Sequence, residues 1–497
     1  MIYSFHHFYY WLKGGVESGM AYRARIFREL GLDARFVFAT AFPNVNIQHE
    51  TEYLGFLDSE VMWLYGFFTD CKISPVTYTL ERLEETFGGK YFSYSREGEC
   101  VRYSFPGEAY YYLAYIEAGT DDCVQRVEMI SNGCLIRIDY YTYCKVYSEY
   151  YIPFNGQAHI YLRRFFNEDG TTAYEEVMSN ESLVDDVVLY KFRDKLIYSR
   201  EELVAEMMSH LHLTENDVVL IDGEPGKIER AAFIQNAAPA KVGLIIHADH
   251  FLDSDTDHIL WYGIYEYAFS HPEKIDFFVT STEAQSLLLR EQLKQYKNVE
   301  AKVVTIPVMG LENLKNPKEG RKRHSLISVG RLAPEKRMNW VIEAVVEAKK
   351  KVPDLSLDIY GEGGEEVFLK KQIEQLNCGD YVRLCGFQKL DAVYPEYDAY
   401  VSASWVETFG VTLLEAVSAG LPIIGFDVPY GAQVFIDEGE NGYKQPWGDV
   451  KGLAEGIVRL FTEADYESFR QHSYEKAASY LTEEIKKRWI DVLNLMK

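Results

Sequence analysis

The sequence predicts an α/β protein built on two parallel sheets, the first of them interrupted by a long antiparallel meander. Three observations carry this reading. Short apolar strands alternate with amphipathic helices at the start of the chain and again after about residue 200. Between about residues 52 and 200 that rhythm gives way to short alternating runs rich in aromatic and β-branched residues, and a second strand–helix series occupies residues 324–481. At 497 residues the chain exceeds what one core organises, so two or three domains are expected.

The opening MIYSFHHFYYWLKGG reads as a first strand, because it lacks the basic start and small-residue cleavage site of a signal peptide. Gly14 and Gly15 form a loop, and a helix follows with Met20, Ala24, Ile26, Phe27 and Leu30 on its apolar face, stopped by Gly31. A strand is expected over residues 36–39. In the meander, runs such as CVRYSF, YYYLAYI and AHIYLRRFF are broken by turn signals at Asn132-Gly133, Asn155-Gly156 and Asp169-Gly170. Much of the 15% aromatic content falls here, and the surplus over one sheet face points to a surface that meets something. The α/β rhythm then resumes with helices at 202–211 and 228–235 and strands at 218–222, 243–250, 276–282 and 302–310. The strand GLIIHADH ends in His247, Asp249 and His250, an unusually polar close to an apolar run.

Two segments of the second series carry chemistry. In SLISVGRLAPEKRMNWVIEAV, a strand ends at Val329, Gly330 turns the chain, and Arg331 and Lys336 are delivered before an amphipathic helix. Two cations at the carboxyl end of a strand suit a diphosphate, since Arg offers a planar fork and Lys a point charge. In SWVETFGVTLLEAVSAGLP, the loop 407–410 enters a helix predicted over 411–418, with Glu407 and Glu415 eight residues apart. The unpaired N–H groups and positive dipole end of that helix suit a phosphate-bearing ligand.

Together these segments resemble the retaining GT-B glycosyltransferases of family 4, which use nucleotide-sugar donors. DIYGEGGEE, VRLCGFQ and AYVSAS fall in the family's order between them. The resemblance implies a GT-B fold, two Rossmann-like domains facing a cleft, with the β-meander inserted in the first. The implied bounds are 1–51 and 201–316 for the first domain, 52–200 for the insertion, 317–481 for the donor domain, and 482–497 for a helix crossing back to the first domain. By the same resemblance Arg331 and Lys336 hold the donor diphosphate, Glu407 contacts the sugar hydroxyls and Glu415 the ribose. Backbone groups of Thr408, Phe409 and Gly410 complete the pocket, Gly386 and Phe387 border the base, Gly14 and Gly15 face the phosphates, and His247, with His250 second, supplies a histidine near the donor sugar. The donor is expected to be a UDP-sugar, UDP-GlcNAc or UDP-glucose, with no metal and no other cofactor.

The interrupted first domain resembles the subgroup that starts glycosylation of serine-rich bacterial adhesins and, beside it, the wall-teichoic-acid α-N-acetylglucosaminyltransferases. This implies transfer to Ser/Thr hydroxyls of a polypeptide, with a homologous noncatalytic partner subunit or a homo-oligomer. A noncatalytic GT-B-like chaperone is the alternative of a different class, and keeping all of Arg331, Lys336, Glu407 and Glu415 argues against it. Asp253, Asp255 and Asp257 fit the Asp-x-Asp pattern of metal-dependent GT-A transferases. They are read instead as acidic residues at the start of a helix beginning near His258. A formal charge of −25 argues against nucleic acid and other polyanions as partners. Seven scattered cysteines without CxxC pairs, and no apolar run of spanning length, lead to an expectation of a cytoplasmic protein with at most peripheral membrane association.

Overall fold

The structure is a computed structural model and describes residues 1–6, 15–40, 45–154, 156–179, 187–222, 227–315 and 321–494. It divides into two compact units, Met1–Ile245 with Trp261–Asp276, and Ile246–Leu260 with Phe277–Lys497. Among the described residues no helix is long and apolar enough to cross a membrane.

A seven-stranded sheet runs, in spatial order, Val303–Thr305, Phe277–Thr280, Lys241–Ile246, Val218–Ile221, Ile2–His6, Ala34–Phe38 and Val61–Trp63. Its defined registers are parallel, with Ile2 opposite Val218 on one side and Ala34 on the other. These strands are apolar runs because helices cover both faces of such a sheet. Helix Gly15–Glu29 buries Met20, Ala24, Ile26 and Phe27. It also sends Arg23 to an ion pair with Asp222, just past the strand Val218–Ile221. Burial lowers Arg23 to about 9.

The antiparallel sheet is a simple meander of ten strands, each paired with its neighbours in sequence, from Ser93–Glu97 to Leu196–Ile197. It starts later than the change in composition near residue 52. Val61–Trp63 still pairs in parallel with Ala34–Phe38, and three residues are too few to show a period. The Asn132-Gly133 signal is a two-residue hairpin between Ser131 and Cys134, with both residues at positive φ. Gly156 and Gly170 also adopt positive φ at their turns, while Asn155 lies outside the described residues.

Much of the aromatic surplus turns inward. Tyr140, Tyr147, Phe165, Tyr174 and Phe192 stack in a ladder across successive strands, with ring centroids 4.3, 5.4, 4.5 and 5.1 Å apart. Cross-strand aromatic pairs of this kind are a main stabilising unit of a sheet. On the same face Arg163 bridges the carboxylates of Glu149 and Glu176, both at 2.8 Å. Glu149 also accepts from the hydroxyls of Tyr140 and Tyr151, at 3.0 and 2.7 Å.

The helix expected near His258 is absent. Phe251–Ser254 and Ile259–Trp261 pair as a hairpin, and the Asp255 carboxylate accepts from the N–H groups of Asp257 and His258 at 2.8 and 2.7 Å. An aspartate that bonds its own backbone two residues on closes a turn in place of a helix start.

A six-stranded parallel sheet runs Val382–Leu384, Ser356–Tyr360, Ser325–Val329, Ala399–Ser402, Ile423–Phe426 and Gly442–Gln445. Its core gathers Val341, Ile342, Val345, Leu357, Ile359, Val401, Leu414 and Ile424 from the strands and their covering helices. Strand order reverses between Ser325–Val329 and Ala399–Ser402, where a doubly wound sheet opens a crevice at the strands' carboxyl ends. Helix Thr482–Asn494 closes the described chain, and its Arg488 donates to the Thr305 carbonyl at 3.1 Å.

Candidate active site

Arg331 and Lys336 follow the strand Ser325–Val329, and Glu407 follows Ala399–Ser402, so all three leave the reversal point of the six-stranded sheet. Backbone bonds stitch the two loops together: Trp405 N–H donates to the Glu335 carbonyl at 2.9 Å. Lys336 Nζ then donates to Glu407 Oε1 at 2.6 Å, and both side chains are largely buried. Arg331 is more exposed and pairs with Glu335 at 2.8 Å. Lys336 sits in a short 3-10 turn, Pro334–Lys336, ahead of helix Met338–Ala348.

The Arg331 loop is held from behind by DIYGEGGEE. Gly330 N–H donates to the Tyr360 carbonyl, Leu332 N–H to the Glu362 carbonyl, and Glu365 N–H to the Leu332 carbonyl. The backbones approach so closely that a Cβ on Gly361, at φ +139, would lie 1.9 Å from the Gly330 oxygen. That position therefore requires glycine. Gly361 N–H continues to the Gly386 carbonyl at 2.9 Å, which brings Gly386 and the exposed Phe387 to the same edge of the sheet.

On the other side Gly410, at φ 84, turns the chain into helix Val411–Ser418, whose bounds match the sequence reading. Its carbonyl accepts the first helical bonds from Leu413 and Leu414. The Glu407 carbonyl accepts from Tyr430 and Gly431 N–H groups, so the next loop fixes the backbone beneath this carboxylate. Thr408 is half-buried, and Phe409 is buried against Phe435 and Tyr480, leaving its backbone as the part that can face a ligand. Glu415 lies one turn into the helix and accepts from the Tyr394 hydroxyl at 2.7 Å through Oε2. Burial raises its pKa above the ordinary value of 4.5, against the opposing hydrogen bond from Tyr394.

His247 and His250 separate in character. His250 is fully buried, bonded to Gln292 Oε1 at 2.6 Å, and burial lowers it to about 4, so it stays neutral and packs the interior. His247 is half-buried just past the strand Lys241–Ile246. Asp249 lies within electrostatic reach of Tyr430, the residue bonded to Glu407; burial raises that phenol first and Asp249 raises it further. Gly15 opens its helix, and Gly14 lies outside the described residues. Sequence reasoning missed Tyr394, Lys315 and Tyr430, which approach the glutamates from other loops and carry no spacing signal.

Two family models match the chain: GtfA extended beta-sheet domain over residues 93–194, and Glycosyl transferases group 1 over residues 312–479. The UDP-N-acetylglucosamine–peptide N-acetylglucosaminyltransferase GtfA subunit of Streptococcus parasanguinis is 43% identical over 497 aligned positions, covering 98% of this chain and 97% of that protein. The chain belongs to the GtfA-subunit family of glycosyltransferases. The solved pneumococcal O-GlcNAc transferase GtfA, in complex with UDP and GlcNAc, superimposes with a TM-score of 0.91 at 38% identity, covering 100% of this chain and 98% of that one. A solved GtfA/B complex matches with a TM-score of 0.93 at 40% identity, covering 100% and 99%. The fold is thus the GT-B fold of this GtfA family, two parallel α/β sheets with an antiparallel sheet inserted in the first domain.

Proposed function

We propose that this chain is a retaining glycosyltransferase that moves N-acetylglucosamine from UDP-GlcNAc to Ser/Thr hydroxyls of a serine-rich polypeptide. The observation that carries the proposal is full-length similarity to GtfA subunits in a chain whose Lys336 and Glu407 meet at the reversal point of the donor-domain sheet. The donor diphosphate takes Lys336 and Arg331 as counter-charges, and Lys336 thereby releases Glu407 to accept bonds from the sugar hydroxyls. As the anomeric bond breaks, the two cations stabilise the charge developing on the leaving diphosphate. That diphosphate then accepts the proton of the attacking hydroxyl on the same face of the sugar. His247 and the backbone of Thr408, Phe409 and Gly410 line the sugar, Glu415 binds the ribose, and Gly386 and Phe387 border the base.

On this reading the cations neutralise the diphosphate without a metal. The chain works in the cytoplasm beside a homologous partner subunit; a partner is supported by its likeness to a solved GtfA/B complex. The formal charge of −25 favours a polypeptide over a polyanionic acceptor such as poly(glycerol phosphate). The test is product mass spectrometry with UDP-GlcNAc or UDP-glucose, a Ser/Thr-rich polypeptide or poly(glycerol phosphate), with and without EDTA. N-acetylhexosamine on the polypeptide, unaffected by EDTA, is expected. Modification of poly(glycerol phosphate) alone would overturn the acceptor assignment, and complete loss in EDTA would overturn metal independence.

A further inference from the structure

The carboxylate of Glu415 is held from inside the domain. Tyr394 is completely buried, sits in the short turn Tyr394–Glu396, and stacks on Tyr400 with ring centroids 6.4 Å apart. Its hydroxyl is the one donor that the described residues offer Glu415, and it takes Oε2 at 2.7 Å. Tyr400 is anchored in turn, its hydroxyl donating to the Val329 carbonyl at 3.0 Å and lying in hydrogen-bond contact with the Thr412 hydroxyl at 2.9 Å, which ties the stack to the strand that delivers Arg331. On the Tyr394 ring lies the Lys315 ammonium, 4.8 Å from the centroid and 3.3 Å from Asp391. The Lys315 charge favours the ionised form of Glu415, and burial keeps Tyr394 protonated, a donor at every working pH.

We infer that Tyr394, backed by Lys315, is a positioning residue for the donor ribose: it pins one oxygen of Glu415 so that the other is presented to the vicinal ribose hydroxyls. This rests on the reading of Glu415 as the ribose-binding carboxylate. A buried carboxylate on a helix has several rotamers, and a fixed acceptor bonds a diol far better than one that must first be ordered. Tyr394 does not touch the ligand. Its effect is therefore confined to the ribose contact, whereas a purely structural tyrosine would alter binding of every nucleotide alike.

The experiment measures calorimetric affinities of UDP and of 2′,3′-dideoxy-UDP for the wild-type chain and for Tyr394→Phe. The wild type is expected to prefer UDP by roughly ten- to a hundred-fold, the range for hydrogen bonds to a charged acceptor. Tyr394→Phe keeps the ring on Tyr400, and is expected to bind the dideoxy analogue like the wild type while losing most of its preference for UDP. In turnover the variant raises KM for UDP-GlcNAc more than it lowers kcat. Lys315→Met is the second variant, expected to shrink the same preference, and it carries the test if Tyr394→Phe does not fold. Folded variants that keep the wild-type preference would overturn the inference while leaving the ribose reading intact. A wild type that binds both ligands equally would overturn the ribose reading and the inference with it.

Discussion

Lys336 and Glu407 face each other at 2.6 Å, so each holds the other in place. Lys336→Ala removes a preorganised cation and is expected to slow transfer by about 10²-fold or more, measured as single-turnover rate at saturating donor. Glu407→Gln keeps the shape of the loop and is expected to retain the melting temperature and UDP affinity while losing transfer; Glu415→Ala is expected to lose UDP affinity first. Near-wild-type transfer by both variants would reduce the pair to a capped helix. Glu415 also sets a pH dependence. Its folded pKa is raised, so as pH falls it is protonated earlier than an ordinary glutamate at 4.5, and the ionised ribose acceptor is lost. UDP affinity is therefore expected to decline as pH falls, beginning before an ordinary glutamate would be protonated, and Glu415→Gln to abolish that decline. Its effect on stability has the opposite sign: a raised carboxyl favours the fold when protonated, fully below the unfolded value, and that contribution fades as pH rises through the folded one. Thermal melts followed across the same range separate the two. Arg331 with Lys336, and Glu407 with Glu415, were singled out by their spacing along the chain and by the family resemblance, but spacing could not show the Lys336–Glu407 contact. Tyr394 and Lys315 were not singled out, since they reach Glu415 only through tertiary packing.

The elements differ in how plainly the sequence announces them. Helix Val411–Ser418 was readable to the residue because Gly410 opens it and Gly420 and Pro422 close it. The expected helix near His258 failed because Asp255 spends its carboxylate on a turn, an alternative that acidic residues always offer the backbone. The meander's strands were legible from alternation, but alternation could not tell an outward aromatic face from the ladder that packs inward. Nor could it show that Arg163 joins two carboxylates across three strands. Arg163→Leu takes the shared counter-charge from the buried carboxylates of Glu149 and Glu176 and is expected to cost about 3–5 kcal/mol in denaturant unfolding. An unchanged midpoint would mean that water reaches the triad. In the donor domain, Gly361→Ala drives a methyl into the Gly330 oxygen and displaces the Arg331 loop. It is expected to lower both the melting temperature and UDP affinity, and normal values for both would show that the loop yields without cost.

At the scale of the whole molecule the inserted sheet, Ser93 to Ile197, contains none of the donor residues. Removing it is expected to spare UDP binding and slow donor hydrolysis, and to abolish transfer to the polypeptide or binding of a partner subunit. A folded deletion protein that glycosylated its acceptor at an unchanged rate would make the sheet structural packing only. The α/β class and the insertion were legible because period and composition change together along the chain. The place where the second sheet reverses its strand order was not, because strand order is decided by packing between elements distant in sequence. That reversal sets Lys336 against Glu407 with Arg331 beside them, and front-face transfer with the diphosphate as base is the mechanism proposed for them. Proton NMR of the glycosylated Ser/Thr peptide made from α-linked UDP-GlcNAc tests this most directly: an α-linked anomeric proton is expected, and a β-linked product would contradict the mechanism.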